Sequence, residues 1–166
     1  MLADYTWRFT TTSGQQSCCK YDEGTGETVT DLSGNSRNGT IHGATWTTGK
    51  TGGALSLKGT SNYVSVPPFN NKEISVSAWF YRNSVDTAAL GSIFGGWSWS
   101  KAEEYGLYFN QCYRNTIQFI VITQTSDGTK TQKHATKNLC TSTEDWFHVA
   151  GLSFTPEFEL TERLDK

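Results

Sequence analysis

One short segment combines the kinds of side chain that could recognise a sugar. The segment GGWSWSKAEEY, residues 95–105, carries two tryptophans, a lysine, two glutamates and a tyrosine. Sugars present apolar C–H faces that stack on aromatic rings, while their hydroxyl groups need polar partners, and loops on a rigid scaffold commonly supply both. The sequence therefore predicts a ligand-binding site here, with residues Trp97, Trp99, Lys101 and Tyr105. The alternative is that the tryptophans fold back over a sheet, since large aromatic side chains are usually buried.

Acidic side chains in and near this loop are candidate calcium ligands, because calcium takes hard oxygen donors. They are Asp86, Glu103 and Glu104. Calcium is the one cofactor that the sequence suggests, and a solvated acidic surface is the alternative, because no dense D-x-D-x-D cluster is present. Asp31 is expected to form a turn with the backbone of Ser33–Asn35 rather than to bind metal. Asp22 and Glu23 lie in a similar Gly-bounded segment and receive the same interpretation.

The residues that most often perform catalysis are not arranged for it. The three histidines, His42, His134 and His148, lack the spacing of a zinc site. His148 is expected to pack or hydrogen-bond within a sheet. The segment EFELTE at Glu157–Glu162 is similar to the E-x-D-x-x-E strand of laminarinase-type glycoside hydrolases, which use two carboxylates. Glu159 stands where that pattern has Asp, so the chain is predicted not to be an enzyme, with a glycoside hydrolase fragment as the weaker alternative.

Short β-prone runs separated by turn residues must position these groups. Period-2 alternation and β-branched content predict strands at 5–9, 28–30, 40–41, 54–57, 63–66, 74–81, 90–94, 105–109, 117–123, 129–137 and 146–154. The run 74–81 is predicted as a central strand with one apolar face and one face of Ser75, Ser77, Trp79 and Tyr81. Asp127-Gly128 predicts a hairpin turn. Many short strands with turn signals between them predict an all-β fold, a two-sheet antiparallel β-sandwich.

The order of several motifs resembles a known family. The chain shows D-E-G-x-G, T-V-x-D-x-S-G-N, G-A-x-W, G-K-x-G-G-A-L-S-L and Y-V-x-V-P in succession, then ISVSAWFY, YGLYF and DWFHVAG. This order resembles the laminin-G-like, concanavalin A-like jelly-roll domains over residues 22–151. The length of 166 residues and the lack of a visible linker predict a single domain over 1–166. Relative to the family, residues 10–21 are an inserted loop and residues 152–166 are a tail that is either truncated or divergent. The resemblance also implies ligand and calcium sites at one rim or on the concave sheet face.

Four cysteines allow several pairings. Cys18 and Cys19 are adjacent, and a disulfide between neighbours is strained, so they are not expected to bond each other. A hairpin centred on Asp127-Gly128 brings Cys140 within two or three positions of the residue opposite Cys112. A disulfide between them is therefore predicted, and two free thiols in a reducing compartment are the alternative.

Composition excludes several partners and favours others. The 166 residues carry a net charge of −2 without a basic stripe, so nucleic acid and anionic membranes are not expected partners. No apolar run reaches the ~18–20 residues of a membrane helix, and the start MLADYTWRF does not resemble a signal peptide. We expect a non-catalytic carbohydrate- or surface-ligand-binding module of an extracellular or cell-surface protein, with a glycan or surface protein as partner. The alternative is a structural or protein–protein adhesion module without sugar affinity.

Overall fold

The structure, a computed structural model, contains strands and no helix among the residues that it describes. Those residues are 17–58, 61–68, 74–81, 90–95, 104–110, 116–124, 127–138, 145–153 and 158–164. Every strand pairing among them is antiparallel. The prediction of an all-β fold is thereby confirmed for this part of the chain. The chain divides into two compact units, Met1–Asn70 and Asn71–Lys166, and the single domain over 1–166 stays a prediction.

The first unit contains a three-stranded sheet and a hairpin. Its strands are β1 (Thr28–Val29), β2 (Gly39–His42), β3 (Thr45–Thr48), β4 (Gly53–Ser56) and β5 (Tyr63–Ser65). The sheet has the order β1-β2-β5, and β3 pairs with β4. Val29 and Ile41 are buried on one face of the sheet, as the alternation of a half-buried strand requires. Strand β3, with the sequence TWTT, was not predicted, because four residues within a turn-rich region give too little periodicity.

The second unit contains two sheets. Its strands are β6 (Ile74–Tyr81), β7 (Leu90–Gly95), β8 (Glu104–Asn110), β9 (Thr116–Gln124), β10 (Lys130–Asn138), β11 (Trp146–Ser153) and β12 (Phe158–Leu164). One sheet has the order β10-β9-β8-β7 and the other the order β12-β11-β6. Strands β6 and β7 therefore lie at sheet edges among the described strands, which corrects the prediction that 74–81 is a central strand. Alternation identifies the buried face of a strand but not the number of its neighbours.

Both sheets of this unit bury their facing sides in one core. Its fully buried members are Leu107, Ile117 and Phe119 of the four-stranded sheet, with Phe147 and Val149 of the three-stranded sheet. Phe80 stacks on Phe147 with ring centroids 5.3 Å apart. Burial of one such side chain stabilises the fold by ~1.5–3 kcal/mol. Two antiparallel sheets around a shared core form a β-sandwich, and the jelly-roll connectivity stays a prediction.

The predicted hairpin around Asp127-Gly128 is confirmed. Its strands β9 and β10 pair from Lys130↔Gln124 to Asn138↔Thr116 without a register shift. Gly128 has a φ of 86°, which glycine adopts without steric cost, and the Asp127 carboxylate accepts a hydrogen bond from the Thr129 backbone N–H at 2.9 Å. Local turn chemistry therefore fixes this register.

The C-terminal tail adds a strand that the sequence did not reveal. Strand β12 pairs antiparallel with β11 along its whole length, from Ser153↔Phe158 to Phe147↔Leu164. The sequence pattern predicted no clear strand after 146–154, and β12 corrects this. The tail sequence FELTERL alternates poorly and is rich in charge, which disguises an edge strand.

Candidate functional site

Most residues of the predicted loop site lie outside the described part of the chain. These are Trp97, Trp99 and Lys101 of the ligand site, and Asp86 and Glu103 of the calcium site. Glu104 and Tyr105 begin β8, where their backbones pair with Ile122 and Val121. The loop connects the edge strand β7 to the inner strand β8. The last residue of β7, Gly95, pairs with Gly106 of β8. Both the ligand site and the calcium site stay predictions.

The described residues contain a different aromatic surface, on the outer side of the three-stranded sheet β12-β11-β6. Strand β6 alternates as predicted, with Val76, Ala78 and Phe80 towards the core. Trp79 and Tyr81 project from the opposite face, and the two residues are 42% and 41% accessible to solvent. Two large aromatic side chains on one strand therefore face away from the core and are partly accessible to solvent.

Strand β11 supplies the partners of these two rings. His148 pairs directly with Trp79 in the register, and their ring centroids lie 4.9 Å apart. Trp146 pairs with Tyr81, with centroids 5.4 Å apart. Both pairs are tilted, at 41° and 56°, within the range of favourable aromatic geometries. We call this surface, formed by Trp79, Tyr81, Trp146 and His148, the Trp79 face.

Hydroxyl groups border the Trp79 face. The Ser77 Oγ and the His148 Nε2 lie 2.8 Å apart in a hydrogen bond, which confirms that His148 bonds within the sheet. Ser75 and Ser77 are exposed on the same side of β6. Ring surfaces beside neutral hydroxyl groups can stack on the C–H face of a sugar and hydrogen-bond its hydroxyls.

Asp31 organises a tight turn, as predicted. Its Oδ1 accepts hydrogen bonds from the backbone N–H groups of Cys18 and Ser33, at 2.8 and 3.0 Å. Its Oδ2 accepts from the Ser33 hydroxyl at 2.8 Å and from the Arg37 N–H at 2.9 Å. Partial burial raises the pKa of Asp31, but these four donors outweigh it and hold the pKa well below the usual range of a carboxyl group. The carboxylate is committed to backbone and hydroxyl donors.

Asp22 and Glu23 also bond backbone groups, among them N–H groups distant in sequence. The Asp22 Oδ1 accepts from the Gly53 N–H at 2.8 Å, and the Glu23 Oε1 accepts from the Thr30 N–H at 2.7 Å. Slight burial raises the pKa of Glu23, but the hydrogen bonds, chiefly from Thr30, lower it below its ordinary value. The Glu23 carboxylate also bonds its own backbone N–H, so local and distant donors act together on it. For Asp22 the local turn stays a prediction. Among the described residues, no group of three His, Cys, Asp or Glu could hold a metal ion.

Of the two cysteine pairs considered, one lies within the described residues. Cys18 and Cys19 are both free thiols, which confirms that they do not bond each other. Burial raises the pKa of the Cys19 thiol, and the nearby Asp31 charge raises it further, against the lowering effect of its contact with Ser17. The 3.8 Å Ser17–Cys19 contact joins Oγ to Sγ. Cys112 and Cys140 lie outside the described residues, so their disulfide stays a prediction.

The remaining sequence candidates are placed by backbone register. Glu159 and Glu162 of the hydrolase-like segment pair with Leu152 and Val149, and Glu157 lies outside the described residues. His134 pairs with Ile120 in the β9–β10 hairpin. The part of the chain that the structure describes contains no helix long and apolar enough to cross a membrane.

Comparisons with known proteins return no relative. No protein-family model, no curated protein and no solved structure matches the chain. The Trp79 face and the predicted loop are therefore judged on their chemistry.

Proposed function

We propose that this chain is a non-catalytic β-sandwich module that binds a glycan, and that the Trp79 face is its main contact surface. The observation that carries the proposal is the exposure of Trp79 and Tyr81 on a sheet whose other side is a packed core. The laminin-G-like motif order supports the same function class. It also supports an extracellular or cell-surface setting, with a surface protein as the other partner.

The support beneath the rings favours binding without rearrangement. Phe80 lies between Trp79 and Tyr81 in sequence and stacks on the core residue Phe147. The register holds Trp79 beside His148 and Tyr81 beside Trp146. Rings held this way lose little conformational freedom when a ligand binds, which improves affinity for a given contact area.

The groups on the Trp79 face suggest a ligand class. Its described side chains offer rings, hydroxyl groups and an imidazole, which are groups that recognise a neutral glycan. Trp97, Trp99, Lys101 and Tyr105 are proposed to extend this binding capacity through the loop between β7 and β8. Asp86, Glu103 and Glu104 are proposed as calcium ligands in the same region.

Affinity electrophoresis of the whole chain tests the proposal. Gels containing hydroxyethylcellulose, laminarin or galactomannan provide neutral glycans, and gels containing heparin provide a charged one. We expect retardation in at least one neutral gel. Trp79→Ala should weaken that retardation by roughly 5- to 30-fold in dissociation constant, the ratio that an aromatic contact of ~1–2 kcal/mol gives.

Tyr81→Phe is the matched control, because it keeps the ring and removes only the phenol hydroxyl; it should retain most of the binding. Absence of retardation in every gel would remove the glycan function. Retardation that Trp79→Ala leaves unchanged, with a normal melting temperature, would move the binding site away from this face.

A protein–protein adhesion module is the second candidate, because Trp and Tyr are also enriched at protein interfaces. Quenching of tryptophan fluorescence by acrylamide, measured with and without glycan, distinguishes the two functions. Protection of tryptophan fluorescence from acrylamide by a neutral glycan supports sugar binding, whereas acrylamide quenching that no glycan concentration reduces supports the adhesion module.

A further inference from the structure

The first unit carries a second aromatic surface, on the exposed side of its three-stranded sheet. His42 pairs directly with Tyr63 across β2 and β5. Their rings stack, with centroids 4.3 Å apart and planes 18° apart. Tyr63 is 52% accessible to solvent even though its ring lies against the imidazole. The opposite side of the same sheet buries Val29 and Ile41, so the two sides differ sharply in chemistry.

Neutral hydroxyl groups border this surface as well. The His42 Nε2 and the Ser65 Oγ lie 2.9 Å apart in a hydrogen bond. Thr40 pairs with Ser65 and with Thr28, which places three exposed hydroxyl residues in one row across the sheet. We call the surface formed by His42, Tyr63, Ser65 and Thr40 the Tyr63 face. Its side chains carry no fixed charge.

The Tyr63 face repeats the composition of the Trp79 face in an unrelated sheet. In each, a histidine pairs directly with an exposed aromatic residue on the neighbouring strand. In each, the histidine Nε2 hydrogen-bonds a serine two positions from that aromatic residue, Ser65 in one case and Ser77 in the other. The hydrogen bond fixes the imidazole, and the fixed imidazole supports the ring beside it. Both faces therefore offer an oriented ring among hydroxyl groups.

We propose that the Tyr63 face is a second glycan-binding site, so that one chain holds two sites for a neutral sugar. The proposal rests on the glycan function proposed above. An uncharged face with one open ring suits a neutral hexose, because a charged ligand would lose its hydration without gaining a counter-charge. Two modest sites on one chain also raise the apparent affinity for a long polysaccharide, because binding at one site increases the effective ligand concentration at the other.

Isothermal titration calorimetry on the whole chain tests this inference. The probes are hexasaccharides of the three neutral polysaccharides: cellohexaose, laminarihexaose and mannohexaose. We expect a stoichiometry of two for the unmodified chain with at least one probe. Tyr63→Ala and Trp79→Ala should each reduce it to one, or weaken one class of site by roughly 5- to 30-fold. The double variant should bind negligibly.

Tyr63→Phe is the matched control, since it keeps the stacked ring and should leave the stoichiometry at two. A stoichiometry of one that Trp79→Ala abolishes and Tyr63→Ala leaves intact would overturn the second site and leave the proposed function standing. No heat with any probe, together with no retardation in any gel, would overturn both. A stoichiometry of one for the unmodified chain with every probe would overturn the second site even if a variant fails to fold.

Discussion

Gly151 of β11 lies directly against the ring of Phe119 of β9, across the core of the sandwich. A Cβ atom added at position 151 would lie 2.6 Å from the Cγ of Phe119 and within 2.9 Å of both Cδ atoms. Carbon atoms in contact normally stay about 3.5–4.0 Å apart. The two sheets can therefore approach this closely only because residue 151 has no side chain.

Gly151→Ala should lower the free energy of unfolding by about 1–3 kcal/mol, because it overpacks a core that cannot expand locally. Urea unfolding followed by far-ultraviolet circular dichroism measures the loss. Phe119→Leu should also destabilise, through the volume that it removes. The double variant should be more stable than the sum of the two single losses predicts, since leucine leaves room for the new methyl group. Strict additivity would contradict the contact.

Acid should loosen the turn around Asp31 in a defined pH range. The pKa of this carboxyl group is depressed, so its contribution to stability is present above about pH 4, the pKa of an unfolded aspartate, and is lost as the pH falls towards the folded value. Asp31→Asn should destabilise the chain at pH 7, because its amide group turns N–H donors towards the Cys18 or Arg37 N–H groups. It should also flatten the fall in stability below pH 4. Urea unfolding at pH values from 2 to 7 tests both effects, and an equally steep fall in the variant would contradict the assignment.

Alkali should act through Tyr21. Burial, then the nearby Cys19 and Glu23, raise the pKa of this phenol to about 12 from an ordinary value of 10. Its contribution to stability is therefore complete below pH 10 and is lost as the pH rises to about 12. Spectrophotometric titration at 295 nm of the unmodified chain and of Tyr21→Phe should isolate one late-titrating tyrosine. A difference spectrum that titrates near pH 10 would show Tyr21 to be accessible.

The predicted disulfide can be tested without knowledge of the ligand. Mass spectrometry of a non-reduced digest should show Cys112 joined to Cys140, with Cys18 and Cys19 alkylated as thiols. Reduction should then lower the free energy of unfolding by roughly 2–4 kcal/mol, chiefly because the unfolded chain regains freedom. Cys112→Ser with Cys140→Ser should reproduce the loss and become insensitive to reductant. Four alkylated thiols in protein prepared under oxidising conditions would refute the pairing.

Calcium provides a separate test of the acidic residues near the loop. If Asp86, Glu103 and Glu104 bind calcium, 1 mM calcium should raise the melting temperature and EDTA should reverse the rise, because a ligand that binds only the folded state stabilises it. Glu103→Gln with Glu104→Gln should abolish the rise. An identical melting temperature with calcium and with EDTA would identify these carboxylates as solvated surface groups.

Local pattern was sufficient for most strands and for the β9–β10 hairpin, because alternation and turn chemistry act over a few residues. Strand β6 shows the limit of such reasoning: its two faces were predicted correctly, but its place at the sheet edge was not. Strand β12 was missed because its stability depends on pairing with β11 rather than on its own residues. Sheet order is a property of distant partners, which one sequence does not display.

For the candidate surfaces too, local sequence predicted the local features and missed those that depend on distant residues. The segment DLSGN predicted the Asp31 turn, because Asp and Ser bond nearby backbone groups, but the Cys18 donor thirteen residues away gave no local signal. Alternation placed Trp79 and Tyr81 on one side of β6 without showing that this side is open to solvent. His42 and Tyr63 are separated by a loop, and only the pairing of β2 with β5 brings their rings together.

The pairing of β6 with β11 also affects how the chain is made. Ser77 and His148, which bond across this pair, are 71 residues apart in sequence. A ribosome adds about 5–20 residues each second, so roughly 4–14 s pass before β11 follows β6 out of the exit tunnel. The strand pairings described for the first unit are all complete by Ser65. In a nascent chain the strands of the first unit can therefore pair before β11 is available to β6. During that time Phe80 and Trp79 of β6 are both exposed, and chaperones would bind such a segment.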